Sequence, residues 1–202
     1  AGADLATLED ASGNRCVVQN FAREIDLNTE GMNGWDGNTA IAADMWAYIW
    51  LLAQDPDSQR IANEWAFLAS ASHTAPTVDA EWTHKRLLSA ARIESDGGSG
   101  WQIVPFRHLR SRYQFSGRRL VAEYAAACSQ AAQSLASAVP PQSELADISL
   151  LSEVTSGNLE IEAYATGMSD PMYSAWAGGA KKGEAGGHIY CPGQSIDTAV
   201  TM

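Results

Sequence analysis

Three short constellations in the chain combine residue types and spacings that could carry chemistry. Asp26, Asn28 and Glu30, followed by Gly31, match the opening of a calcium loop, where alternate oxygen ligands and a sharp glycine turn wrap a hard cation. The position that should close such a loop with a bidentate acid is Gly37, with Asp36 one place early. A turn built on Asx side chains accounts for the same residues without a metal. Glu81 and His84 stand three apart, so on a helix both side chains face one way, as di-iron carboxylate bundles require. Such bundles need a second Glu-x-x-His, which the sequence lacks, and further acids, for which Asp44, Glu64 and Glu123 are the helix-borne candidates. A solvated helix face is the simpler reading of Glu81 and His84. The third constellation is Arg107, Arg110, Arg112, Arg118 and Arg119, five guanidinium groups with Tyr113 and Phe115 among them and no acid between. Guanidinium groups and aromatic rings in this order can pair with phosphates and stack on bases. They can equally form salt bridges to carboxylates of the same or a neighbouring subunit, which the formal charge of −11 favours by repelling a polyanion.

Other sites of common chemistry are missing. His73, His84, His108 and His188 are too scattered for a zinc signature, and neither His-Glu-x-x-His nor paired Cys-x-x-Cys occurs. Ser99 sits in "GGSGW" rather than in a strand-to-helix nucleophile elbow, and no phosphate-cradling Gly-x-x-x-x-Gly-Lys is present. No catalytic residue and no cofactor is therefore assigned. Cys16, Cys128 and Cys191 are an odd number without metal spacing and read as buried thiols of a reducing compartment, with a single bridge left open.

The elements expected to position these residues are mainly α-helical. "AIAADMWAYIWLLA" is apolar on every side apart from Asp44, the pattern of a buried central helix over residues 39–53. Asp55 and Pro56 open a second helix to about Ser72, and Val78, Trp82 and Leu88 mark a third, ended by "SDGGSG". Leu120, Tyr124, Cys128, Ala131 and Leu135 fall on one helical face, so a continuous helix is expected over residues 118–138. A short helix follows from Ser143 to Val154. One short strand fits Leu159, Ile161 and Ala163, which alternate with Glu160 and Glu162. The expected organisation is a multi-helix globular domain over residues 1–166, with irregular Gly-rich loops, and a Gly/Pro-rich extended arm over residues 167–202. At 202 residues the chain can bury its own core, and seven Trp must fill that core or anchor an interface. No run reaches the roughly 18 apolar residues of a bilayer span, so a soluble, intracellular protein without membrane partners is expected. The start at Ala1 and the polar end at Met202 read as a processed or excised piece of a longer chain.

Three stretches, "GMNGWDGNTAIAADMWAYIWLLA", "VPFRHLRSRYQFSGRRLVAEYAAACSQAAQSLA" and "GMSD", carry a family resemblance. They are similar in texture to the helical shell proteins of double-stranded RNA viruses of fungi, the totivirus type. The resemblance covers about a third of the chain and implies a fragment of a longer capsid protein and a place in the virion. It carries no catalytic position over. The leading expectation is thus a structural protein that self-associates or joins other subunits of an assembly, a capsid shell component if the resemblance holds. The alternatives are a helical enzyme or metal-binding protein using Asp44, Glu64 and Glu81 with His84, and an RNA-binding module on the Arg cluster.

Overall fold

The computed structural model describes residues 5–20, 23–56, 60–109, 112–115, 120–179 and 181–202, and among them the regular structure is β-strand, with one 3-10 turn at Pro192–Gln194. The mainly α expectation is therefore corrected to an antiparallel β protein. The chain divides into two compact units, residues 1–116 and 117–202, so the division falls well before the expected one at residue 166. No helix among the described residues is long and apolar enough to cross a membrane.

In the first unit, β1 (Leu5–Glu9), β2 (Arg15–Gln19), β3 (Trp46–Ala53), β4 (Trp65–Ser70) and β5 (His84–Ser95) form an antiparallel sheet in the order β2-β1-β5-β3-β4. A short strand, β6 (Trp101–Ile103), pairs with the far end of β5, and β7 (Phe106–Leu109) and β8 (Arg112–Phe115) make a separate two-stranded ladder. Strand β3 explains the misread helix. Trp46, Tyr48, Trp50 and Leu52 enter one hydrophobic cluster with Leu68 and Trp82, while Leu51 and Ala53 enter another with Leu8, Cys16 and Val18. Ala47 joins Trp35, Leu27 and Ile93 in a third cluster. A strand covered on both faces reads as a continuous apolar run, and periodicity cannot separate that run from a buried helix. The expectation that Trp46 and Trp50 are deeply buried holds; only the element type differs.

The second unit holds β9 (Cys128–Ser134), β10 (Leu145–Glu153), β11 (Asn158–Ala165), β12 (Tyr173–Gly178), β13 (Lys182–Tyr190) and β14 (Ser195–Thr201). One sheet has the order β12-β11-β14-β9, the other pairs β10 with β13, and Ala146, Ala163, Ala165, Ile189 and Ile196 are buried between them. The expected helix over residues 118–138 is thus a strand from Cys128, with Leu120 exposed and Leu135 alone of its apolar stripe deeply buried. Nonlocal pairing with β14 overrides the helical preference of its alanines. The strand expected at residues 159–163 is present as β11. Residues 167–202, expected as an arm, supply β12, β13 and β14. Their glycines serve close approach, since a Cβ at Gly183 would strike the Trp176 carbonyl and one at Gly186 the Ile148 carbonyl.

Because Leu51 is fully buried at the centre of β3, Leu51→Ala should destabilise the chain by about 2 to 5 kcal/mol in chemical denaturation. Far-UV circular dichroism of the intact protein should show strand, with no substantial helical signal.

Candidate interaction surface

The residues singled out by the sequence are dispersed rather than convergent. Asp26 Oδ1 accepts hydrogen bonds from the Asn28 backbone N–H at 3.0 Å and its side-chain amide at 3.2 Å, and Oδ2 accepts from the Thr29 hydroxyl at 3.0 Å. Asn28 Oδ1 accepts the Trp101 N–H at 2.9 Å, which ties the loop to β6. These donors occupy the oxygens a cation would need. Gly37 has φ +72°, and a side chain there would meet the Glu30 carboxylate, which explains why the closing position of the loop is glycine. A hollow of about 180 Å³ lies beside this loop, lined by Asn28, Glu30, Trp35 and Thr39. Among the described residues no group of three His, Cys, Asp or Glu is placed to hold a metal.

Glu81 and His84 do not share a helix. Glu81 is exposed in a turn, and His84 opens β5, buried at 2% exposure. The Thr83 hydroxyl donates to Asp55 Oδ1 at 2.7 Å and lies 2.9 Å from His84 Nδ1, so its single proton makes it the acceptor of an Nδ1–H. His84 Nε2 then carries the lone pair, and it is buried without a hydrogen-bond partner. Asp44 belongs to the other end of the same strand, where its carboxylate pairs with the buried Arg92 at 2.8 Å. Eight residues of strand separate Arg92 from His84, roughly 26 Å at the usual rise. Asp44 and His84 therefore cannot serve one catalytic centre. Glu64 is exposed just before β4. Arg107 and Arg112 lie on the paired strands β7 and β8, opposite Gln114 and Leu109 respectively, while Arg110, Arg118 and Arg119 fall outside the described residues.

The surface features with most chemical character lie in the second unit, and the sequence reading missed them. Among the described residues, Leu145, Leu151, Met168, Met172, Trp176 and Tyr190 stand exposed there, whereas Leu5 is the exposed large apolar residue of the first unit. On the outward face of the β10–β13 ladder, Leu145 stands opposite Tyr190 and Leu151 opposite Glu184. Between and beside them Lys182 pairs with Glu153 at 2.7 Å, the Ser149 hydroxyl donates to Glu184 at 3.0 Å, and His188 lies 4.0 Å from Asp147. Among the described residues, β10 and β13 form a two-stranded ladder with each other. The signal was present in the sequence: "LADISLLSE" alternates, but it places apolar residues on both phases, which a strand with only one buried face does not need. On the other sheet, Trp176 of β12 stands opposite Glu160 of β11 and points outward at 57% exposure.

Compared with family models, curated proteins and solved structures, the chain gives no match in any of the three. Its function is therefore argued from its own surfaces.

Two measurements test this geometry. The Asn28 backbone hydrogen bond, then the Thr29 hydroxyl and the Asn28 amide, hold the Asp26 carboxyl below its ordinary value of 3.8. A lowered folded value gives stability that is present above the ordinary value and lost as pH falls through the folded one. Asp26→Ala should therefore flatten the acid limb of the stability profile below about pH 4 in urea titrations at stepped pH, and calcium should not shift the melting temperature. Burial raises the thiol pKa of Cys16, with the Asp55 charge adding to it, and burial also raises that of Cys191. Both are free thiols, as is the half-buried Cys128, so a thiol reagent should label Cys128 first and the other two only in denaturant.

Proposed function

We propose that the chain is a structural protein that associates with copies of itself or with other subunits of an assembly, of the kind a virion shell is built from. The observation that carries this reading is the number of exposed large apolar side chains in residues 117–202, Leu145, Leu151, Trp176 and Tyr190 among them on strands that pair with one other named strand each. Exposed large apolar side chains on one strand pair, such as Leu145 opposite Tyr190, suit an interaction surface, and a strand edge is a ready template for a further strand. The first unit differs: its tryptophans are buried or half-buried within its own clusters. The dispersal of the titratable candidates supports a mechanical role over a catalytic one.

Sedimentation velocity over a range of concentrations tests the proposal. The expected mass is a multiple of 21.6 kDa that falls on dilution. Leu151→Lys with Tyr190→Lys should shift the equilibrium to a monomer that keeps a cooperative thermal unfolding transition, because both side chains are exposed in the chain by itself. A monomer at every concentration would overturn the reading. A complex that instead weakens steeply with salt and forms only with added RNA would point to the Arg-rich segment.

A further inference from the structure

Trp176 is the tryptophan of the second unit, and its surroundings are built rather than incidental. Its indole lies along the sheet over Gly178, two residues further on the same face, so that a Cβ at position 178 would come within 2.7 Å of Cζ2 and Cη2. Glycine therefore lets the ring lie down against the strand and turn its other face to solvent. The antiparallel register sets Glu160 directly across from Trp176 and Glu162 across from Ser174. Both carboxylates are held in place: Glu160 accepts from the Ser174 hydroxyl, and Glu162 accepts from the Tyr164 hydroxyl at 2.8 Å. Each retains lone pairs for a further donor. Among the described residues no Lys or Arg forms an ion pair with Glu160, Glu162 or Asp170; the pairs in this unit are Lys182 with Glu153 and His188 with Asp147. The Tyr164 phenol reports the resulting field, its pKa raised first by the Glu162 hydrogen bond, then by burial and by the charges of Glu162, Glu160 and Asp170.

We infer that the Trp176 face, with Glu160 and Glu162, is a docking site for an arginine side chain presented by a partner subunit. The choice among ligands follows from charge. An indole face carries negative potential and attracts cations, tryptophan more strongly than the other aromatic residues. A guanidinium group stacks flat on such a ring and offers its edge to a carboxylate in a bidentate pair, which an ammonium cannot do. A saccharide would also stack on an indole, but uncompensated carboxylates contribute nothing specific to a neutral ring. This inference names the chemistry of a contact within the assembly proposed above and rests on that reading for its biological setting. The site itself can be measured whether or not the chain assembles.

The experiment uses the full chain carrying Leu151→Lys and Tyr190→Lys alongside the unmodified protein, with tri-arginine amide, tri-lysine amide and a neutral glucose hexasaccharide as probes. The readout is the indole N–H resonance of Trp176, assigned by its disappearance in Trp176→Phe. Saturable movement of that resonance by tri-arginine is expected, with weaker binding of tri-lysine and none of the saccharide. In calorimetric titration with tri-arginine, Trp176→Phe should bind roughly 2- to 5-fold more weakly, the usual worth of an exposed cation–aromatic contact. Glu160→Gln with Glu162→Gln keeps the side-chain shape, and it should weaken binding about tenfold or more and remove most of its salt dependence. The inference is overturned if the Trp176 resonance does not respond to tri-arginine, if the Gln variant responds equally, or if only the saccharide binds. A response in a protein that stays monomeric leaves the site standing while the assembly reading fails.

Discussion

The first unit depends on one constraint, that both faces of β3 must be covered. Paired between β4 and β5, β3 contributes buried side chains to three hydrophobic clusters. Its alternate side chains are large on one face, with Trp46, Tyr48 and Trp50, and smaller on the other, with Ala47, Ile49 and Leu51. The large face is closed by Trp82 and Val78, which arrive from the segment before β5, and by Met32. The opposite face is closed at one end by the β1–β2 hairpin through Leu8, Cys16 and Val18, and at the other by the loop that carries Leu27 and Trp35. The loop over residues 26–37 is therefore a structural cover. Its Asx turn shapes the backbone so that Trp35 can reach the core and donate its indole N–H to the Thr39 carbonyl at 2.6 Å.

The polar groups buried near this sheet follow from the same arrangement. Arg92 and His84 lie at opposite ends of β5, where the apolar cover gives way to loops, and each is met by an exposed acid, Asp44 directly and Asp55 through Thr83. Arg92 also lies 5.8 Å from the Trp46 ring centroid, which gives the guanidinium an apolar seat with one charged side. Buried polar side chains with partners on loops fix where the strand ends, because sliding the register would strand them without their acids.

Sequence reasoning recovered burial better than it recovered element type. Trp46 and Trp50 are buried as their apolar neighbourhood implied, and Leu159, Ile161 and Ala163 form the strand that their alternation with Glu160 and Glu162 implied. The helices failed for two physical reasons. A doubly covered strand carries no period, so residues 46–53 were indistinguishable from a buried helix. The alanines of β9 have high intrinsic helix preference, but residues far along the chain, in β14, decide their conformation. The glycines of residues 167–202 were read as looseness, whereas Gly178, Gly183 and Gly186 are places where backbone or an indole must come close. The candidate surface was illegible for a related reason. An exposed Trp176 and a buried Trp50 look alike in sequence, and only the pairing of Glu160 with Trp176 shows that position to face outward.

The contrast between the two units also bears on why the second would need partners. Its buried cluster contains Ala146, Ala163 and Ala165 beside Leu135, Ile189 and Ile196, where the first unit adds tryptophans, and the facing strand β13 contributes glycine at two inward positions, Gly183 and Gly187. Small side chains let the sheets approach closely, but each contributes little apolar area, and hydrophobic stabilisation scales with that area at about 25 cal/mol per Å². A unit of this size already buries a smaller share of its surface than a large domain does. Leu145, Leu151, Trp176 and Tyr190 point outward, where they add little to the stability of the isolated unit. Covering them in an assembly would supply the apolar burial that the small-residue core lacks, and in this unit folding and association would draw on the same force.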